Sequence, residues 1–267
     1  MHFIDALVNS FNLLKKKPKL FLPKFLIAAV YGVMMLLTMD ILVSLTEFIF
    51  TENQSQAAVY AAEMLPVVST LFIFSLFVLL LDTFINSMYP KMVDDFYKKK
   101  KISFTDAVKS AFSRSLIVIP SIFTALFIFM LVSMPFILWM AFSLVSNDIV
   151  GIILSGILLI IAELITTIMF YLIYPVSMLE KKGVFGTLGK SFSLSKSNFK
   201  DISKASIFQL LLSFVSFVLA AVADKPEFLF LFIVSRFLTA LIATYIIVLN
   251  PVIYMEIQKV SSKGKVI

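Results

Sequence analysis

The chain has 267 residues and a mass of 30.1 kDa, and is 60% hydrophobic and only 15% charged, with 29 phenylalanines, a mean hydropathy of +1.02 and a formal net charge of +7. An ordinary soluble domain is about 25% charged, so a water-soluble globular protein is excluded. Zero cysteines exclude disulfides, thiolate metal sites and iron–sulfur clusters, and a single histidine, the terminal His2, excludes zinc-protease motifs and Ser-His catalysis, because each needs a histidine beside its partner inside the fold.

From the N-terminus, apolar residues at 3, 4, 7, 11 and 14 recur at helical spacing, which predicts a short amphipathic helix along a membrane interface. No cleavable signal is evident, because the first apolar stretch runs well past signal length and the segment before it is amphipathic. Six apolar runs follow, at 20–46, 64–89, 116–145, 149–179, 203–223 and 228–256. Crossing about 30 Å of hydrocarbon takes about 20 helical residues, so each run is long enough to span. The expected class is an all-α membrane protein with six transmembrane helices, forming one integral membrane domain over 1–267. Ser146-Asn147-Asp148 and Asp224-Lys225-Pro226-Glu227 read as tight turns between paired spans.

Twenty-one of the 23 basic residues flank the spans on the face that would hold both termini; the exceptions are Lys225, in an opposite loop, and Arg236, within a span. By the positive-inside rule that face is cytoplasmic, in a plasma or inner membrane. Anionic lipid headgroups are the partner this basicity implies. A nucleic-acid partner is not expected, because no soluble basic domain is present.

Two patterns recur. The amphipathic segment around Phe3-Ile4-Asp5-Ala6-Leu7 and Ser10-Phe11-Asn12 returns as Phe104-Thr105-Asp106-Ala107-Val108 with Ala111-Phe112-Ser113, where Ser103 and Asp106 resemble a capping box. It returns again over Val184 to Ser193, with Leu188, Ser191, Phe192 and Ser193 kept and Gly186 in place of the acid. Each even-numbered span ends in a proline with an acid five residues later and a lysine close behind: Pro90, Asp95 and Lys98; Pro175, Glu180 and Lys181; Pro251, Glu256 and Lys259. The expectation is three hairpin repeats of the same orientation, at about 1–101, 102–182 and 183–260, each preceded by a short amphipathic interfacial helix and related by an axis along the membrane normal.

Charges inside spans cost on the order of 2.5 to 3.5 kcal/mol each and mark bundle interiors or functional paths. Asp40 lies near the outer end of its span, within reach of headgroup water. Asp82, Glu163 and Arg236 precede their repeat prolines by 8, 12 and 15 residues, spacings that share one helical face, and Thr167 and Thr239 extend it. These five residues are read as a polar bundle axis. Its plainest role is a Glu163–Arg236 ion pair fixing helix packing; the sharper one is a proton or solute path.

The repeated interfacial helix, the Lys-Pro-Lys-Leu entry at Lys17 to Leu20 and the Ser-Phe-Ser-Leu-Ser-Lys-Ser segment at Ser191 to Ser197 together resemble a known family. It is the six-helix membrane domain that accompanies some glycerophosphodiester phosphodiesterases, with related uncharacterised stand-alone integral membrane proteins. The resemblance implies the six-helix fold over nearly the whole chain. In those phosphodiesterases catalysis belongs to a separate soluble barrel, so the resemblance implies no activity here. The sequence is thus read as a non-catalytic membrane scaffold or partner-binding module without metal or cofactor, the alternative being a small transporter or channel using the polar axis. An intramembrane lipid enzyme is disfavoured, because paired Asp motifs, Ser-His dyads and metal ligands are missing. Reporter fusions at Gln54 and Lys99 are expected to sit on opposite sides of the membrane; reporters on the same side would overturn the topology.

Overall fold

A computed structural model describes residues 3–50, 57–223 and 229–263, and leaves the side chains of 37–64 and a few neighbouring positions undescribed. The described residues are 92% helical and contain no strand. In order the helices are α1 (Phe3–Lys16), α2 (Leu22–Phe50), α3 (Ala57–Tyr97), α4 (Phe104–Val145), α5 (Ile149–Phe170), α6 (Ile173–Leu179), α7 (Val184–Ser197), α8 (Phe199–Ala223) and α9 (Leu229–Lys263). Six stretches among them are long and apolar enough to cross a bilayer: Pro18–Leu36, Val68–Tyr97, Phe104–Val145, Ile149–Leu179, Phe199–Ala221 and Leu229–Val260.

The breaks between helices have local causes. Pro18 opens a short 3-10 turn, Pro18–Phe21, that separates α1 from α2. α4 starts at Ser103, whose hydroxyl accepts from the Asp106 N–H at 3.2 Å, and α5 starts at Asp148, whose carboxylate accepts from the Gly151 N–H at 3.0 Å. Between α4 and α5 the chain reverses through Asn147 at φ 53°, a left-handed conformation that asparagine tolerates. The second amphipathic segment is not a separate interfacial helix as expected, but the first turns of the 42-residue α4. Nothing between Phe104 and Leu116 breaks a helix, whereas Pro18 and the turn at Asn198 interrupt the other two copies.

Proline decides the shape of the fourth span. Pro175 has no N–H to donate to the Tyr171 carbonyl, and the helix breaks at Tyr171 and Leu172. The freed carbonyl accepts instead from the side-chain amide of Asn250 on α9, which joins the two helices. In hydrocarbon no water can satisfy such a group, so another helix must.

Burial is concentrated at the basic end. Tyr89, Met88, Met92 and Val93 of α3, Leu172 at the break before α6, Val176 of α6, and Val248, Leu249, Val252 and Ile253 of α9 form one buried cluster, with Ala6, Leu13, Ala107, Ala111, Ile202 and Ala205 around it. Tyr89 seals this end by donating to the Leu20 carbonyl at 3.0 Å. The amphipathic segments pack through small residues four apart, all fully buried: Ala6 and Ser10, Ala107 and Ala111, Thr187 and Ser191. The adjacent phenylalanines, Phe11, Phe112 and Phe192, are exposed.

Toward the other end the helices bury little. Phe72, Ile73, Met130, Phe142, Ile160, Phe214 and Phe230 are all more than 60% exposed within the protein. In water so much open apolar surface would aggregate; in a bilayer it is the lipid contact. There α4 and α5 meet along Ser133, Ser143, Gly151 and Ser155, and a Cβ on Gly151 would collide with Ser143 and Asp148. Ala107→Leu is expected to overpack the buried end and cost about 1–3 kcal/mol in detergent unfolding, while Phe112→Ala leaves the transition unchanged. Equal effects would place the tight packing elsewhere.

Candidate functional site

Asp82 lies on α3, and Asn86, one turn later, shares its face. The Asn86 amide donates to Asp82 Oδ2 at 2.7 Å. Lys24, in the first turns of α2, donates to Asp82 Oδ1 at 2.6 Å. Both carboxylate oxygens are therefore held by other side chains. Lys24 is 7% exposed, whereas a third of the Asp82 side chain remains open.

That open side faces a cavity of about 1090 Å³ between α2, α3, α8 and α9. Its wall is mostly apolar, with Met34, Phe74, Val78 and Phe217 among the lining residues, and Ser75, Ser213, Ser216 and Thr239 add hydroxyls. Lys24 and Asp82 stand at the basic end. About 10 Å further along α9, at seven residues from Ala243 of the same wall, is Arg236. Its Nη2 lies 3.0 Å from Met35 Sδ and its guanidinium 4.9 Å from the Phe232 ring, while its carbonyl accepts from the Thr239 hydroxyl at 3.0 Å.

Of the expected polar axis, then, Asp82, Arg236 and Thr239 come together on one cavity. Glu163 and Thr167 do not line it. Glu163 is exposed on α5, and no ion pair joins it to Arg236. A common face for these residues requires unbroken helix from each of them to its proline. α3 and α9 do run unbroken through Pro90 and Pro251, but α5 ends at Phe170 and α6 begins at Ile173, so the register of residue 163 does not carry over. The Asp40 side chain lies outside the described residues.

Sequence reasoning assigned Lys24 to the basic flank and so missed it as a partner. A signal was present, because Lys24 is the sole base inside the apolar run 20–46.

The proline and acid motif forms a second polar cluster at the basic face. Pro90, Pro175 and Pro251 are all buried. Tyr97 of α3 donates to Glu256 of α9 at 2.9 Å, and Tyr254 of α9 donates to Glu180 at 3.0 Å, so two of the acids tie neighbouring helices together. The Arg114 guanidinium adds a bond to the Glu180 carbonyl. Of the lysines that follow the three acids, Lys259 pairs with its acid, Glu256, at 3.0 Å, while Asp95 pairs with Lys91 at 2.5 Å and Glu180 with Lys182 at 3.8 Å. Lys98 pairs with Asp94 at 2.7 Å, one helical turn back.

Six apolar helices, lipid-exposed at one end and closely packed at the other, define a multi-pass α-helical membrane protein. Comparison with known protein families, curated proteins and solved structures finds no match for the chain.

Removing one member of the Lys24–Asp82 pair strands the other at low dielectric, on the order of 3 kcal/mol. Lys24→Met and Asp82→Leu are each expected to lower stability by about that amount, and the double variant by less than the sum, in a double-mutant cycle read by denaturant unfolding in detergent. Additive losses would mean that the two charges do not act as a pair.

Proposed function

We propose that the chain is a non-catalytic multi-pass membrane protein that binds and translocates a small amphipathic solute, with the cavity between α2, α3, α8 and α9 as its site. One observation carries this reading: an ion pair inside the membrane-spanning region keeps its carboxylate partly open to a large apolar cavity. A pair that served packing alone gains by being closed over, because exposure to the bilayer interior costs several kcal/mol. A cavity of this volume lies just above the usual range of ligand pockets, about 300–1,000 Å³. Both termini are taken as cytoplasmic, on the distribution of the basic residues.

A second reading is the membrane scaffold. Exposed Phe11, Phe112 and Phe192, on segments that also carry Lys15, Lys109 and Lys196, favour it as a belt that meets anionic headgroups or a protein partner at the basic face. The resemblance to the phosphodiesterase-associated membrane domain is compatible with either role.

Transport separates the two. Purified protein in proteoliposomes is expected to move at least one of a set of fluorescent single-chain amphiphiles, bearing zwitterionic, anionic or cationic heads, faster than protein-free vesicles do. Ser75→Trp, which fills the cavity from an exposed position on its wall, is expected to abolish the difference. Movement at the protein-free rate for every head group would remove the translocation reading and leave the scaffold.

A further inference from the structure

We propose that the Lys24–Asp82 pair is the head-group site for an amphiphile whose head carries both an ammonium and an oxyanion, with its apolar tail lying along the cavity. This rests on the cavity being a solute site and names the solute's chemistry.

Lysine nitrogen has three N–H donors and no acceptor. Asp82 Oδ1 takes one of the Lys24 donors at 2.6 Å, and no other side-chain or backbone acceptor for that ammonium occurs among the described residues. With Lys24 more than nine-tenths buried, water does not readily supply the remainder. An oxyanion entering from the cavity does. Asp82 accepts from Lys24 on one oxygen and from Asn86 on the other, and each oxygen keeps a lone pair for a further donor. An ammonium entering from the cavity fills that place.

The pair is neutral as a whole, and Arg236, the other charged residue named on this wall, stands beside Met35 about 16 Å along α2, so the pair itself selects between head groups. A purely anionic head gains at Lys24 and loses at Asp82, and a purely cationic head does the reverse. At low effective dielectric neither loss is screened. A head with both signs lies antiparallel to the pair, so that every close contact is between opposite charges.

The cavity accounts for the tail. From Lys24 to Met35 the α2 wall rises about 16 Å, and Met34, Val78, Leu79 and Phe217 line an apolar path between the Lys24–Asp82 pair and Arg236, which stands beside Met35. A head held at Lys24 thus sends its chain from one membrane face toward the bilayer middle, the direction in which a lipid of that leaflet already points.

The test uses three ligands with the same tail: dodecylphosphoethanolamine, dodecyl phosphate and dodecylamine. Each is titrated into the full-length protein in a neutral maltoside detergent and read by native mass spectrometry. The zwitterion is expected to bind the wild type at least tenfold more tightly than either singly charged ligand. Lys24→Met is expected to shift preference toward dodecylamine and Asp82→Asn toward dodecyl phosphate, opposite shifts that a merely structural role would not produce. The wild-type ranking requires no variant, so poor folding of a variant leaves the question decidable: equal affinities, or preference for a singly charged head, overturn the proposal. Ranked binding without transport supports it and removes translocation; transport without a zwitterion preference does the reverse.

Discussion

In hydrocarbon a polar group that loses its partner has no water to fall back on, and several polar groups deep in this bundle are placed to meet that constraint. The Tyr171 carbonyl, freed by Pro175, takes its hydrogen bond from Asn250 on another helix. Hydroxyls at Ser155, Thr166 and Thr244 donate to carbonyls one turn back, at 2.7–2.8 Å, and so need no outside acceptor. Lys24 and Asp82 meet part of the same demand with each other and Asn86. Helix breaks, interhelical bonds and the charged end of the cavity are therefore consequences of one shortage.

The same scarcity explains why packing is uneven. Small residues allow α1, the start of α4 and α7 to approach the helices at the basic end, and the terminal turns of α3 and α9, with α6, close around one core. Beyond it, outside the small-residue seam of α4 and α5, the side chains are long and apolar, and lipid solvates them as well as another helix would. Nothing drives the helices together there, so an opening persists between the first two and last two spans. A cavity in a membrane protein needs only that attraction between helices stops at some depth.

Asp82 illustrates how a residue's role depends on what surrounds it. Within α3 it is a costly charge. Beside Lys24 it becomes half of a neutral pair, and beside the cavity that pair acquires a surface that an incoming dipolar group could meet. Tyr97 and Tyr254 have a different effect on Glu256 and Glu180: those acids are used up in joining helices, and only their outer edges reach solvent.

Much of this protein was readable without coordinates. Hydropathy and length determine six spanning helices, because the thickness of a bilayer sets a number of residues, and Ser103, Asp148 and Asn147 mark their ends by local chemistry alone. Charge position is also one-dimensional, so Asp82 and Arg236 stand out at once. Which charges share a site is not. The break at Tyr171 removed Glu163 from the expected face, and Lys24, counted as flank, turned inward to Asp82. Azimuth around a helix and proximity between helices depend on every break and packing angle in between, and those were decided only when the whole bundle came together.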